Sequence, residues 1–172
     1  MEYLKNKNII IEGVEATGKS NLIKKLKGVY PFSVIQPSNY LKNSSRLFVR
    51  YMSIANSNTG ILFDRFFISR ATYIKGQENL TEFYSNFLSD KNKLVLLECD
   101  FNKILERMSN EKKLKFNYKS YSIGDIPEIA SKMEIQYNVF KAYFPNSCIK
   151  INTTNQSKDD TLEQVLDFMK TR

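Results

Sequence analysis

The 172-residue chain has no histidine, no tryptophan, two cysteines, four prolines and six glycines. Without histidine there is no imidazole base, no Ser-His-Asp triad and no histidine metal ligand. The two cysteines, Cys99 and Cys148, form no CxxC pair, which argues against zinc and against a secreted disulfide framework. Each lies beside an apolar strand-like run, so both are expected to be buried reduced thiols. No apolar run approaches the roughly 20 residues of a membrane span. The polar segment Met1–Asn8 leads into only three isoleucines, too few for a signal-peptide core. A cytoplasmic chain without a membrane partner is expected. Gly/Ser linkers, internal repeats and low-complexity tracts are also missing, so residues 1–172 are expected to form one domain. Acidic residues are the scarcer charge: 26 Lys and Arg face 18 Asp and Glu, a net charge of +8. That excess attracts phosphate-bearing partners, but equally describes a solvated basic surface.

What is present alternates short apolar runs with amphipathic segments, the pattern of an α/β domain around a mainly parallel sheet. Five strands are expected: Asn8 to Glu12, Phe32 to Gln36, Ile61 to Phe63, Leu94 to Leu97 and Cys148 to Ile151. The first is an unbroken apolar run that suits a strand buried on both faces. Helices are expected from about Lys19 to Lys27, capped by Gly28, then over roughly Tyr40 to Ala55, in two pieces between Phe67 and Leu88, and from Phe101 to Met108. A further helix opens with Asp125 as N-cap, Pro127 near its start and Glu128 in the capping-box position. Its apolar face is Ile129, Met133, Tyr137, Phe140 and Phe144. The last helix opens near Ser157 and carries Leu162, Val165, Leu166 and Met169 on one face. Five strands with crossover helices give a three-layer α/β/α domain.

Gly13-Val14-Glu15-Ala16-Thr17-Gly18-Lys19-Ser20 matches G-x-x-x-x-G-K-[ST] in full, with a strand before it and a helix after it. In such a loop the glycines let backbone N–H groups turn toward phosphates, and the helix starting at Gly18 adds its positive end. Lys19 reaches the β- and γ-phosphates and the Ser20 hydroxyl ligates Mg²⁺. The next residue is Asn21 and not a second hydroxyl residue, so the cofactor-binding set is expected to end at Ser20. The expected cofactors are ATP and Mg²⁺, in a P-loop NTPase domain. A second cluster, Asp64-Arg65-Phe66 with Ser69, Thr72 and Tyr73, follows the third strand, at the carboxyl edge where open α/β sheets place ligands. There Arg65 can clamp an acceptor phosphate with its fork. Asp64 either holds Mg²⁺ through water or orients Arg65.

Together these blocks resemble thymidylate kinases. Ile10-Ile11-Glu12-Gly13-Val14-Glu15 before Gly18-Lys19-Ser20 is similar to the family's I-E-G-x-[DE]-x-x-G-K-[ST]. Asp64-Arg65-Phe66, Ser69 and Thr72-Tyr73 are similar to its D-R-[YF]-x-x-S-x-x-[AT]-Y. The resemblance implies that Glu15 reaches toward the acceptor's sugar, and that Phe66 and Tyr73 wall the acceptor pocket; for these two aromatics, core packing is the competing reading. It also implies that Asn152-Thr153-Thr154 packs beside the adenine and that the protein forms a homodimer.

Two departures matter. Some thymidylate kinases carry an arginine inside the phosphate loop, where this chain has Ala16 and Thr17. Others supply it from a lid, here about residues 107–120, which offers Arg107 and the lysines Lys112, Lys113 and Lys115. Arg107 is the leading catalytic candidate, with Lys19 and Arg65. The turn after the second strand reads Gln36-Pro37-Ser38, where the related deoxynucleoside kinases carry Glu-Pro. A neutral Gln36 is no base, and a monophosphate acceptor needs none. Arg46 and Arg50 either assist the acceptor phosphate or are exposed helix charges. The reading is therefore transfer of the ATP γ-phosphoryl to a small-molecule nucleotide acceptor, dTMP or a related deoxynucleoside monophosphate. A deoxynucleoside kinase and a non-catalytic ATP-binding module are the alternatives, and a polynucleotide acceptor is favoured only by the net charge.

Overall fold

The computed structural model describes residues 2–36, 45–73, 91–110 and 122–170, without the side chains of residues 2 and 45–48. Strand β1, Asn8–Glu12, is buried at every position. A strand without a wet face belongs in the middle of a sheet covered on both sides. It lies between β3, Ile61–Asp64, and β4, Asn92–Glu98, while β2, Ser33–Ile35, and β5, Cys148–Asn152, form the edges. The order is β2-β3-β1-β4-β5 and every pairing is parallel, so the expected mainly parallel sheet is wholly so. The register sets Ile11 beside Asp64 on one side and Val95 on the other.

Side chains alternate across the sheet. Ile10, Phe63, Leu94, Leu96 and Cys148 share one core with α3 (Ser45–Ser57), α4 (Phe67–Tyr73), α5 (Phe101–Asn110) and α6 (Ile126–Tyr143). Ile9, Ile11, Leu62, Val95, Leu97 and Ile151 form the other with α1 (Glu2–Lys5), α2 (Lys19–Val29) and α7 (Lys158–Lys170). The three-layer arrangement follows: five parallel strands with, among the described residues, seven helices divided between the two faces.

Local expectations were refined at helix ends. Helix α2 continues through Gly28 to Val29 and stops where Tyr30 turns extended, so Gly28 lies in the last turn and is no cap. Asp125 precedes α6, but its carboxylate accepts from the N–H and hydroxyl of Ser122 in a capping box of the short 3₁₀ turn Ile123–Asp125. Glu128 instead pairs with Lys132 along the helix. Ile126, Ile129, Met133, Tyr137 and Phe140 are buried as a stripe, with Phe144 packed at its edge. Cys148 is buried, whereas Cys99 is only half-buried, and both are free thiols. Residues 40–44 and the second helical piece expected toward Leu88 lie outside the described residues.

The edge of the sheet opposite the phosphate loop is closed by polar groups. Asn8, fully buried, donates through Nδ2 to the carbonyls of Ala55 and Asn58 and to Asn92 Oδ1, at 2.8–2.9 Å, and accepts from the Ile61 N–H. Three lysines neutralise carbonyls at or near helix ends here: Lys7 on Met169, Lys91 on Asn56 and Lys93 on Asn146. Helix C-termini carry partial negative charge, so part of the basic excess serves the fold. Asn8→Ala removes the hub and leaves buried groups unpaired, at a cost of about 2–3 kcal/mol. Urea unfolding of the variant is expected to show that loss with an unchanged m-value.

Candidate active site

Beyond the carboxyl ends of β1, β3 and β4 the chain builds a crevice from backbone constraint first. At Gly13 φ is 142°, and a Cβ there would lie 2.5 Å from the Leu97 carbonyl oxygen of β4. Only glycine allows the loop to press so closely on the neighbouring strand. Ala16 (φ 57°) and Gly18 (φ 98°) are also left-handed. The Thr17 hydroxyl, fully buried, donates to the Val14 carbonyl at 2.8 Å and stiffens the loop from inside. Gly18 is the N-cap of α2 and supplies no side-chain cap, which leaves the helix head available to an anion.

Lys19 is 7% exposed, and its ammonium donates back to the Val14 carbonyl. Burial, and then the nearby Arg65 cation, lower its pKa to about 7, while Glu15, Asp64 and Glu12 pull it back up. A cation held this loosely gains its proton fully when negative charge arrives. Ser20 and Asn21, in the first turn of α2, are exposed.

Opposite, Glu12 ends β1 as a fully buried side chain. Its Oε1 accepts from the N–H groups of Phe66 (2.7 Å), Ile68 (3.1 Å) and Ser69 (3.3 Å), and its Oε2 from the Ser69 hydroxyl. Burial pushes this carboxyl up from its ordinary value, while Ser69, Phe66 and Arg65 pull it down. Every one of these hydrogen-bonding neighbours is a donor, so we describe it as a carboxylate capping α4. Glu12 lies inside the Ile10–Glu15 motif, where the sequence pattern alone assigns it no role. The signal was available: a carboxylate closing a doubly buried strand must have partners.

The cap fixes the start of α4 and hence Arg65. Arg65 has φ 68°, and its N–H donates to the Ile11 carbonyl at 2.9 Å. Its guanidinium pairs with Glu15 at 2.7 Å and reaches the Tyr73 hydroxyl at 3.4 Å. The Tyr73 hydroxyl donates to the other Glu15 oxygen at 3.3 Å. Asp64 accepts from the Gln36 amide at 2.9 Å. Phe66 is fully buried and stacks on Phe63, with centroids 4.7 Å apart, so its ring belongs to the core. Arg50 is exposed on α3; the Arg46 side chain and Pro37-Ser38 lie outside the described residues.

On the other flank, a cavity of about 630 Å³ runs from the loop to the end of β5, lined among others by Lys19, Ser20, Asn21, Arg107, Thr153 and Gln156. Asn21 thus borders the same cavity as the loop, one residue beyond the set expected from sequence. Arg107 is anchored: its guanidinium donates to the carbonyls of Ala16 (3.0 Å) and Thr153 (2.6 Å) and contacts Cys99 Sγ (3.2 Å). The Thr153 hydroxyl bridges the carbonyls of Thr17 (3.0 Å) and Glu98 (2.9 Å). Thus Arg107 and Thr153 lace the phosphate loop to β4 and β5. The lid lysines Lys112, Lys113 and Lys115 lie outside the described residues.

No protein-family model matches the chain, and no curated protein matches it in sequence. Its fold is found among solved structures. The YorR protein of Bacillus subtilis, in complex with phosphorylated GDP, aligns over 94% of both chains with a TM-score of 0.66 and 19% identity. The thymidylate kinase from Candida albicans aligns over 96% of this chain and 91% of its own, at TM-score 0.61 and 14% identity. A deoxyadenosine kinase from M. mycoides with bound dCTP covers 93% of this chain and 97% of its own, at TM-score 0.59 and 13% identity. The chain therefore has the fold of the P-loop nucleotide kinases. No helix among the described residues is long and apolar enough to cross a membrane.

At pH 8 the binding of a phosphate-bearing anion such as a nucleoside triphosphate at this loop is expected to take up about one proton at Lys19, because a group with pKa near 7 becomes fully charged beside phosphate. Calorimetry in buffers of different ionisation enthalpy reads this directly, and Lys19→Arg should abolish it. Glu12→Gln places an amide donor among donors and is expected to lower stability by about 2 kcal/mol, with a matching fall in thermal midpoint.

Proposed function

We propose that this chain is an ATP-dependent nucleotide kinase that transfers the γ-phosphoryl of ATP–Mg²⁺ to the phosphate of a deoxynucleoside monophosphate, dTMP or a related pyrimidine. One observation carries the reading: two devices suited to phosphate follow adjacent strands, near enough that the Arg65 cation bears on Lys19. The first is the glycine-shaped loop with Lys19 after β1; the second is Arg65 after β3, one residue beyond Asp64, which is paired in register with Ile11. Phosphoryl transfer asks little covalent chemistry of a protein, and positioning with charge neutralisation supplies most of the rate.

In this reading the loop from Gly13 to Ser20 holds the donor phosphates, and the cavity beside Thr153 and Gln156 receives the donor's base. Arg65 holds the acceptor phosphate, with Tyr73 and Glu15 on the sugar side. Arg107 contributes positive charge from the cavity rim while bracing the loop. The Ser20 hydroxyl and Asp64 carboxylate are hard oxygen donors, which suits a magnesium ion that keeps waters and is shared with phosphates. Bound there, the ion would neutralise phosphate charge; the residues of this chain position the two substrates.

A free nucleoside acceptor would require a base at its 5′-hydroxyl. Gln36 cannot be that base, and its amide is donated to Asp64, which favours the monophosphate. The test is ATP consumption with Mg²⁺, screened over all deoxynucleosides and their monophosphates. Turnover with one monophosphate is expected, falling at least about 100-fold in Lys19→Ala and in Arg65→Ala. Turnover with free nucleosides alone would reverse the choice of acceptor. ATP binding without acceptor-dependent turnover would favour a nucleotide-binding module.

A further inference from the structure

Gly18 leaves one peptide of the phosphate loop undecided. Its φ is 98°, yet a Cβ placed on it would meet nothing within 4 Å, so glycine is needed here for its backbone conformation and not for space. Glycine takes positive and negative φ about equally well. The plane between Thr17 and Gly18 can therefore turn over, by opposed rotations at Thr17 ψ and Gly18 φ, with little resistance from the loop's own sequence. The two orientations differ in chemistry. The peptide is trans, so its carbonyl and its N–H point in opposite directions. One orientation offers an approaching anion the Gly18 N–H, and the other offers it the Thr17 carbonyl oxygen.

The deciding contact comes from the far side of the sheet. Thr153 follows β5 and is buried, and its hydroxyl donates to the Thr17 carbonyl at 3.0 Å across 136 positions of sequence. Among the described residues no other hydrogen bond reaches that carbonyl. The competing acceptor, the Glu98 carbonyl at 2.9 Å, already receives the Thr153 N–H at 2.8 Å, which frees the single hydroxyl proton for Thr17. Arg107 repeats the arrangement one peptide earlier, on the Ala16 carbonyl at 3.0 Å, and donates to the Thr153 hydroxyl oxygen at 3.3 Å. A donor on that oxygen polarises the hydroxyl and strengthens its own donation. With the Thr17 carbonyl drawn toward Thr153, the Gly18 N–H is turned the other way, at the head of α2, which has no side-chain cap.

We propose that Thr153 is a positioning residue that locks the Thr17–Gly18 peptide with its N–H offered to phosphate. The inference rests on the kinase reading only for phosphate being the ligand of the loop. The family resemblance implied a place for Thr153 beside the donor's base; its hydroxyl is instead turned on the phosphate loop. Thr153 acts without touching the phosphate, by deciding which end of a peptide dipole the phosphate meets.

The test compares the full chain with three variants. Thr153→Val keeps the shape and loses the donor, Thr153→Ser keeps the donor, and Asn8→Ala weakens the opposite edge of the sheet, outside the site. Tripolyphosphate is the probe, because it carries no base and so separates a role at the phosphate loop from a contact to the nucleobase. By calorimetry Thr153→Val is expected to bind it about 10-fold more weakly, as the competent orientation falls to about a tenth of the molecules. Thr153→Ser and Asn8→Ala should stay within about 2-fold of the unmodified protein. A second measurement needs no ligand. Nitrogen-15 relaxation dispersion at the Gly18 amide should be flat in the unmodified chain and show exchange between two orientations in Thr153→Val. Undiminished affinity in the valine variant, a loss that serine does not restore, an equal loss in Asn8→Ala, or no exchange at Gly18 would each overturn the proposal. If the valine variant folds poorly by thermal melting, Thr153→Ala carries the same expectations. Failure of the unmodified protein to bind tripolyphosphate would count against the loop as a phosphate site and so against the kinase reading, whereas the exchange at Gly18 would still decide the lock.

Discussion

Glu12 places a carboxylate at the end of a strand that water does not reach, and the site is arranged around satisfying it. Four donors converge on it, three of them backbone N–H groups at the start of α4. An ionised carboxylate at a helix head gains from both the hydrogen bonds and the helix dipole, which is what makes its burial tolerable. The consequence is mechanical. Glu12 directly precedes Gly13, so the same short stretch of β1 sets the phosphate loop on one side and the entry to α4 on the other. Arg65 sits between the strand and the capped helix in a left-handed conformation, which a non-glycine residue adopts only where its surroundings hold it. The distance between the glycine-shaped loop and Arg65 is thereby set by a few bonds rather than by a flexible loop.

The crevice carries charges of both signs. Lys19 and Arg65 face Glu12, Glu15 and Asp64, and these carboxylates are what keep the Lys19 pKa from falling further under burial. In the proposed reading, a donor triphosphate with an acceptor monophosphate would bring several negative charges among them. Many of the chain's 26 basic residues are placed elsewhere: Lys7, Lys91 and Lys93 serve carbonyls at the opposite edge of the sheet. Lys25, Lys103, Lys132, Lys150 and Lys170 are paired with surface carboxylates. The net charge read from composition was therefore a poor guide to the site, because many cations answer to local structure. The cations at the candidate site are Lys19, Arg65 and Arg107.

The layer architecture and the strand positions were legible because they depend on patterns that sequence displays directly; the order β2-β3-β1-β4-β5 comes from the structure alone. Three isoleucines before a glycine-rich turn mark a buried central strand, and all five expected strands are found within two residues at each end. The phosphate loop was legible because the backbone demands particular residues at fixed spacing. Less visible were interactions between residues far apart in the chain. Glu12 with Ser69, Arg107 with Ala16, and Thr153 with Thr17 are separated by 57, 91 and 136 positions, and no periodicity reports such pairs. Helix ends were less legible for a related reason. Asp125 does stand at the N-cap of α6, but its carboxylate is taken by Ser122, and the last turn of α2 runs past Gly28.

Arg107 shows how the two kinds of information combine. From sequence it was an arginine at the base of a lid, a position that suggests contact with the transferred group. In the fold its guanidinium is divided between carbonyls of the phosphate loop and of the segment after β5, and its neighbour Thr153 repeats the bridge. Such a group is positioned by the loop as much as it positions the loop. Any shift of the end of α5 would be felt at Ala16 through one hydrogen bond and at the far wall of the cavity through another. A charge placed here stiffens one flank of the crevice by hydrogen bonds to backbone, in the same way that Glu12 stiffens the other. The site is thus held on both flanks by an ionised side chain whose partners are largely backbone groups, and such partners remain in place when neighbouring side chains change.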